Sequence, residues 1–182
     1  MNNINLFNPF QTISGFNQIQ ELENFIVPNT CIVTMDDIWK LYKNRFPKNI
    51  DVYFVNTLEE KELEKEASKF INYKMVIGFG GGQALDIAKY FSWKCNLKLF
   101  QFPTSISVDA VFGHRSGIRR DGNVNYIGWA IPECVFLDYE IIQSAPKIYN
   151  YSGIGDVLCF YTGVLDWQYA NKQNKCEEKW SY

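Results

Sequence analysis

The chain has 182 residues, 47% of them hydrophobic and 21% charged, which is enough for one good core and a soluble domain or slightly more. A net charge of −2 removes the electrostatic case for nucleic acid or an anionic membrane as partner, and no apolar run approaches the ~20 residues that cross a bilayer. One histidine, His114, and five scattered cysteines without a C-x-x-C pair exclude zinc-finger spacing, so the cysteines read as free thiols of a reducing compartment.

The amino terminus is polar and lacks the charged and apolar regions of a signal peptide, so a cytoplasmic protein is expected. Residues 1–29 carry polar turns and little periodicity, with a short helix opening near Gly15–Ile19 and running to Phe25. Thr30–Thr34 is rich in β-branched residues and reads as a strand. Asp36 or Asp37 then caps a helix whose apolar face is Ile38, Leu41, Tyr42 and Phe46. Asp51–Val55 reads as a second strand. Thr57 with Glu60 forms a capping box before a helix over 58–71 that turns Leu63, Ala67 and Phe70 inward.

Met75-Val76-Ile77 is a short apolar run of the buried-strand kind. Gly78-Phe79-Gly80-Gly81-Gly82 follows, and then a helical pattern with Ala84, Ile87, Ala88 and Phe91 on one face. A strand, a glycine turn and a helix start in that order present backbone N–H groups to an anion with no Cβ in the way. A tight turn that needs glycine for its dihedrals alone fits the residues equally well. The dinucleotide fingerprint G-x-G-x-x-G is not met, because Gln83 stands at the last glycine. Lys98–Phe102 is the fourth strand. This alternation predicts an α/β fold, a Rossmann-like parallel sheet with helices on both faces. Ligands of such sheets sit beyond the C-terminal strand ends, where the glycine turn and Pro103-Thr104-Ser105 both fall.

The pattern then changes. Arg115–Arg119 and Asn123–Trp129 flank Arg120-Asp121-Gly122, which predicts an appended hairpin. His114 with Arg115, Arg119 and Arg120 suits either a bound phosphate or a solvated hairpin. Cys134–Leu137 is another strand, ending at Asp138. Ser144-Ala145-Pro146 punctuates the chain, and residues 151–156 lead into a helix to about Lys175. Val157, Phe160, Tyr161, Val164, Leu165 and Trp167 make that helix apolar over much of its circumference, which predicts burial on several sides. Asp156 reads as an N-cap, and Asp86 with Lys89 as an exposed i,i+3 ion pair.

Several of these stretches, taken together, resemble one superfamily: the iron-containing alcohol dehydrogenases, glycerol dehydrogenases and dehydroquinate synthases. They are Gly80-Gly81-Gly82 with Asp86 and Lys89; Pro103-Thr104-Ser105 followed by Ser107 and Asp109; Pro132 with the strand to Asp138; Ala145-Pro146; and Gly153, Gly155, Asp156, Tyr161, Thr162, Asp166 and Trp167. Within it the likeness is greatest to the sn-glycerol-1-phosphate dehydrogenases, and to their N-terminal part only. The resemblance implies an NAD(P)-binding domain over 1–150 and, over 151–182, the first helix of an otherwise missing all-helical metal and substrate domain. It implies that Gly80, Gly81 and Gly82 hold the cofactor pyrophosphate, with Asp86, Thr104 and Ser105 nearby. Asp36, or Asp37 one step on, is placed by the adenine ribose, where a carboxylate favours NAD over NADP. Asp109 corresponds to the aspartate beside nicotinamide and substrate, and Asp156 to the first ligand of a divalent metal, zinc by expectation.

The implied reaction is hydride transfer between NAD(P)H and a polyol or polyol phosphate, as in reduction of glycerone phosphate to glycerol 1-phosphate. Val108 departs from the histidine usual before that aspartate, and the run Ala110–Arg115 departs from the usual small residues. The family's two metal-binding histidines have no counterpart here, so a catalytically incomplete chain is expected. A non-catalytic nucleotide-binding relative, and a dehydroquinate synthase-like cyclase using NAD transiently, are the other readings. The apolar last helix predicts a homo-oligomer.

Overall fold

A computed structural model describes residues 11–181; the polar turns expected over 1–10 lie outside that range. In chain order the elements are β1 (Gln11–Gly15), α1 (Gln18–Glu23), β2 (Thr30–Thr34), α2 (Asp36–Tyr42), β3 (Asp51–Phe54), α3 (Glu60–Ala67), β4 (Met75–Gly80) and α4 (Gly82–Cys95). After them come β5 (Lys98–Pro103), β6 (Ser116–Arg120), β7 (Asn123–Ile127), β8 (Cys134–Asp138), α5 (Tyr139–Ser144) and α6 (Lys147–Lys172), with single 3₁₀ turns at 43–45, 68–70 and 109–111. Six strands form one sheet in the order β1-β8-β5-β4-β2-β3, and every neighbouring pair is parallel. The hairpin β6–β7 stands apart from it.

Side-chain alternation builds a core on each face. Cys31, Val33, Val76 and Leu99 point to one side and pack with Leu63, Phe70, Ile87, Phe91 and the hairpin's Ile118. Ile32, Ile77, Phe79, Phe100 and Phe102 point to the other and pack with Ile19, Leu22, Phe46 and Ile141. A parallel sheet buried on both faces is what continuous apolar strands without a polar stripe specify.

The structure departs from expectation at several places. β1, a polar segment, is an edge strand beside β8. The helix after Thr57 starts only at Glu60, because the Thr57 hydroxyl accepts from the Glu59 N–H at 3.0 Å rather than closing a capping box with Glu60. Leu41 faces solvent, while Ile38, Tyr42 and Phe46 pack as expected. α6 begins at Lys147, directly after Pro146, so Asp156 lies well inside the helix and is not its N-cap. None of α6 is buried, and Ile154, Val157, Phe160, Tyr161 and Leu165 are all exposed. Among the described residues no helix is long and apolar enough to cross a membrane.

Candidate functional site

The order of strands reverses between β2 and β4. The chain leaves β2 for the edge strand β3, then returns to β4 on the opposite flank of β2. At such a switch point the flanking loops part and leave a crevice beyond the strand ends. A cavity of about 300 Å3 opens there, lined among others by Met35, Asp37, Gly81, Gly82, Thr104 and Ser105.

α4 starts on its wall. Its N-cap is Gly81, no side chain caps it, and no acidic residue lies in its first turn. The first intrahelical bond runs from Leu85 N to Gly81 O at 3.2 Å, so the N–H groups of Gly82, Gln83 and Ala84 have no partner within the helix. Together with the helix dipole they favour an anion at this end. Gly80 turns the chain with φ 152°, a conformation that side chains rarely take. Gly81, by contrast, has an ordinary φ of −82°, and a Cβ built on it meets nothing nearer than the Ser105 hydroxyl at 4.0 Å. The space over Gly81 is therefore open for a ligand. Thr104 is buried and donates its N–H to Gly80 O at 3.0 Å, which ties the β5 loop to the glycine turn.

Asp36 and Asp37 part company. Neither caps α2, whose N-cap is Met35 with no side-chain hydrogen bond: Asp36 is exposed and ion-paired with Lys40 on its own helix, whereas Asp37 lines the cavity and accepts from Ile38 N at 2.9 Å.

A second cavity, about 560 Å3, lies on the other side of Gly82 and Gln83, between α4, the hairpin and the loop 108–115. Asp86 and Lys89 reach it from α4, but not as an exposed pair. The Lys89 side chain is 1% exposed, and its ammonium holds Asp86 Oδ1 at 2.7 Å, Arg115 O at 2.7 Å, Ala110 O at 2.8 Å and Gly113 O at 3.2 Å. It staples the loop that carries Asp109 to the helix that starts at the glycine turn. Burial pushes the Asp86 carboxyl above its ordinary value, and the Lys89 charge pulls it back.

Asp109 opens the 3₁₀ turn of that loop, and its N–H donates to Asp156 Oδ2 at 2.9 Å. The two aspartates, 47 positions apart, thus meet at the rim where α6 crosses the sheet. α6 lies close there because Gly153 faces the loop: a Cβ on it would fall 1.9 Å from Ile106 O. Among the described residues no group of three or more His, Cys, Asp or Glu side chains converges to hold a metal ion. The structure therefore gathers Gly81, Gly82, Thr104 and Ser105 about the first cavity, with Gly80 turning the chain just before them, and Asp86, Asp109 and Asp156 about the second. The staple at Lys89 escaped the sequence reading, because its loop partners lie 21–26 positions downstream.

The family model for iron-containing alcohol dehydrogenase matches residues 32–146. A glycerol-1-phosphate dehydrogenase, NAD(P)+-specific by name, from Metallosphaera sedula is 30% identical over 162 residues, covering 85% of this chain and 45% of its own. Glycerol dehydrogenase from Schizosaccharomyces pombe superposes with a TM-score of 0.73 at 23% identity, covering 90% of this chain and 45% of that one. Sulfoacetaldehyde reductase from Bifidobacterium kashiwanohense, solved in complex with NAD+, gives 0.72 at 17% identity, covering 84% and 50%. The last two share the fold. This chain spans about half the length of the curated relatives it matches. With the family model covering most of the chain and the parallel sheet, glycine turn and crevice in place, the chain belongs to the iron-containing alcohol dehydrogenase family.

Proposed function

We propose that this chain forms the NAD(P)-binding part of a polyol or polyol-phosphate dehydrogenase of the glycerol-1-phosphate dehydrogenase kind. The observation that carries the reading is the uncapped N-terminus of α4 opening, over an unobstructed Gly81, onto the crevice at the switch point. In this reading the pyrophosphate lies against the N–H groups of Gly82 and Gln83, with Thr104 and Ser105 beside it. Asp37, rather than Asp36, has its carboxylate on the cavity wall just beyond β2 and would meet the adenine ribose. Asp109, which with Gly82 lines the second cavity, would stand on the nicotinamide side. Residues 1–150 are assigned to the cofactor, and 151–182, with Asp156, to the metal and substrate side.

When bound, the nicotinamide supplies the hydride; what these residues do is hold and orient it. A divalent metal, zinc by the resemblance, is a different matter. Asp156 offers one carboxylate, with one oxygen already accepting from Asp109 N, whereas a catalytic zinc takes about three protein ligands. The described residues do not fit such a metal by themselves, so the chemistry proposed for this chain ends at binding and orienting the cofactor.

Calorimetry with NADH on the chain and on Gly81→Val tests the proposal. The backbone at Gly81 accepts valine without strain, and its side chain would fill the place of the pyrophosphate. Binding in the micromolar to millimolar range, lost in Gly81→Val with the melting temperature unchanged, is expected. No heat with any nicotinamide or adenine nucleotide, or equal affinity in both proteins, would refute the assignment.

A further inference from the structure

Lys89 lies about two helical turns beyond Gly82, and what it holds decides how the two cavities are joined. Its buried ammonium has three hydrogens and four acceptors within 3.2 Å: Asp86 Oδ1 and the carbonyls of Ala110, Gly113 and Arg115. No donor is left over for a ligand, so the group works through the atoms it holds. The three carbonyls belong to one loop, 108–115, and that loop folds around Asp109. The Asp109 carbonyl accepts from Phe112 N at 2.8 Å and from Gly113 N at 3.3 Å, which closes the 3₁₀ turn. The loop also meets α4 at its first residue, where a Cβ on Gly82 would fall 2.8 Å from Val108 Cγ2. One end of the loop thus touches the glycine turn, and the rest hangs from Lys89.

Lys89 supplies the buried part of the loop's anchorage. The contacts from α6, Asp156 Oδ2 at Asp109 N and Asn150 Oδ1 at Ile106 N, are exposed. Charge-assisted hydrogen bonds inside a low-dielectric interior hold one geometry, since breaking any of them strands a charge. The cavities divide cleanly in their dependence on this anchor. No residue of 108–115 lines the first, whereas Val108, Asp109, Ala110, Gly113, His114 and Arg115 all line the second. Whatever Lys89 does for a ligand, it does at the second cavity.

We infer that Lys89 is a positioning residue for the nicotinamide end of the cofactor: through the carbonyls of Ala110, Gly113 and Arg115 it aligns the loop that carries Asp109 with a dinucleotide seated at the glycine turn. It touches neither cofactor nor substrate. The inference rests on the dinucleotide reading of the first cavity and adds the device that keeps its two halves in register. The adenine end lies outside the reach of that device.

The test compares NADH with ADP-ribose, which is the same molecule without the nicotinamide ring. Calorimetry on the 182-residue chain should show NADH binding more tightly than ADP-ribose. In Lys89→Met, NADH should lose about tenfold in affinity while ADP-ribose changes less than about twofold, the pattern of a misaligned rather than a missing contact. The fluorescence lifetime of bound NADH, which lengthens when the ring is immobilised, should shorten with it. Asp138→Ala unties α1 and α5 from the end of β8 and weakens the fold elsewhere, so it should leave the ratio of the two affinities as it was. Lys89→Gln keeps a donor for the loop and is measured in place of Lys89→Met if the methionine variant does not fold. Equal losses for both ligands would make Lys89 a prop of the fold alone and overturn the inference. An unmoved ratio in the folded variant, or no preference for NADH in the wild type, would overturn it too. ADP-ribose binding under either of those results leaves the dinucleotide reading standing; a wild-type chain that binds neither ligand ends both.

Discussion

Lys89 is the residue on which the two halves of the site depend, and replacing it with methionine isolates that dependence. The side chain is fully buried, and methionine fills the same volume without charge. Three loop carbonyls then lose their donor, and Asp86 is left as a largely buried carboxylate without its counter-charge. Removing one partner of a buried pair costs about 3–5 kcal/mol, more than the pair contributes in net terms, because the remaining charge is uncompensated. For a chain of this length that corresponds to a fall in melting temperature of roughly 6–20 °C. Asp86→Asn combined with Lys89→Met removes the stranded charge and should recover about 1–2 kcal/mol, a coupling that a double-mutant cycle reads directly.

The pH dependence has a definite sign. Burial already raises the Asp86 carboxyl against the pull of Lys89. Without Lys89 it rises further, so the folded variant binds a proton that the unfolded chain, titrating near about 4, has released. Stability of the variant then falls with rising pH above that value, and its deficit against the wild type shrinks toward acid. Urea unfolding at a series of pH values is the assay. A loss under about 1 kcal/mol, or a deficit that grows in acid, would refute the staple.

Asp138 is fully buried and accepts from Gln18 N at 2.8 Å, Glu140 N at 3.0 Å and Ile141 N at 3.1 Å, so it joins α1 and α5 at the end of β8. Asp138→Ala should cost about 2–4 kcal/mol in urea unfolding, beyond a simple cap, since it orphans three N–H groups. Burial pushes the Cys31 thiol up to about 12, with Asp51 adding to the effect, while Cys159 is exposed. A thiol reagent at pH 8 should therefore label Cys159 rapidly and Cys31 only on unfolding. Because the unfolded thiol ionises near 9 and the folded one near 12, this group's contribution is intact below 9. It is lost between those values at up to about 1.4 kcal/mol per pH unit, a slope that Cys31→Ala should remove. Finally, α6 exposes Ile154, Val157, Phe160, Tyr161 and Leu165 together, a patch that seldom stays wet. Light scattering should show association with a second copy that rises with concentration; a monomer at high concentration would contradict it.

What the sequence disclosed and what it hid divide by the range of the deciding contacts. β2 was foreseen to the residue, because a β-branched run buried on both faces declares itself locally. The glycine turn and α4 were legible for the same reason. β1 was not: Gln11-Thr12-Ile13-Ser14-Gly15 has no apolar stripe and becomes a strand only beside Cys134–Asp138, more than 120 positions away. The start of α6 was expected only after residues 151–156, whereas the helix already runs from Lys147. Gly153 is there for proximity, because only a residue without a Cβ lets the helix pass 106–107.

The same passage explains why Asp156 was taken for a cap and Asp86–Lys89 for a surface pair. Each has its role set by the loop 106–115, which sequence spacing could not place. That loop is gripped from α4 by Lys89, from α6 by Asp156 at Asp109 N and by Asn150 Oδ1 at Ile106 N, 3.1 Å. A segment held from two helices that do not otherwise form one layer is positioned by their relative placement. Any shift of α6 against α4 must therefore move Asp109 relative to the glycine turn, and the second cavity, which Asp109 and Asp156 both line, changes shape with that placement. Gly153→Ala, which pushes α6 off the loop, should accordingly weaken ligand binding in the second cavity as calorimetry reads it, and an unchanged affinity in the folded variant would refute the dependence on α6.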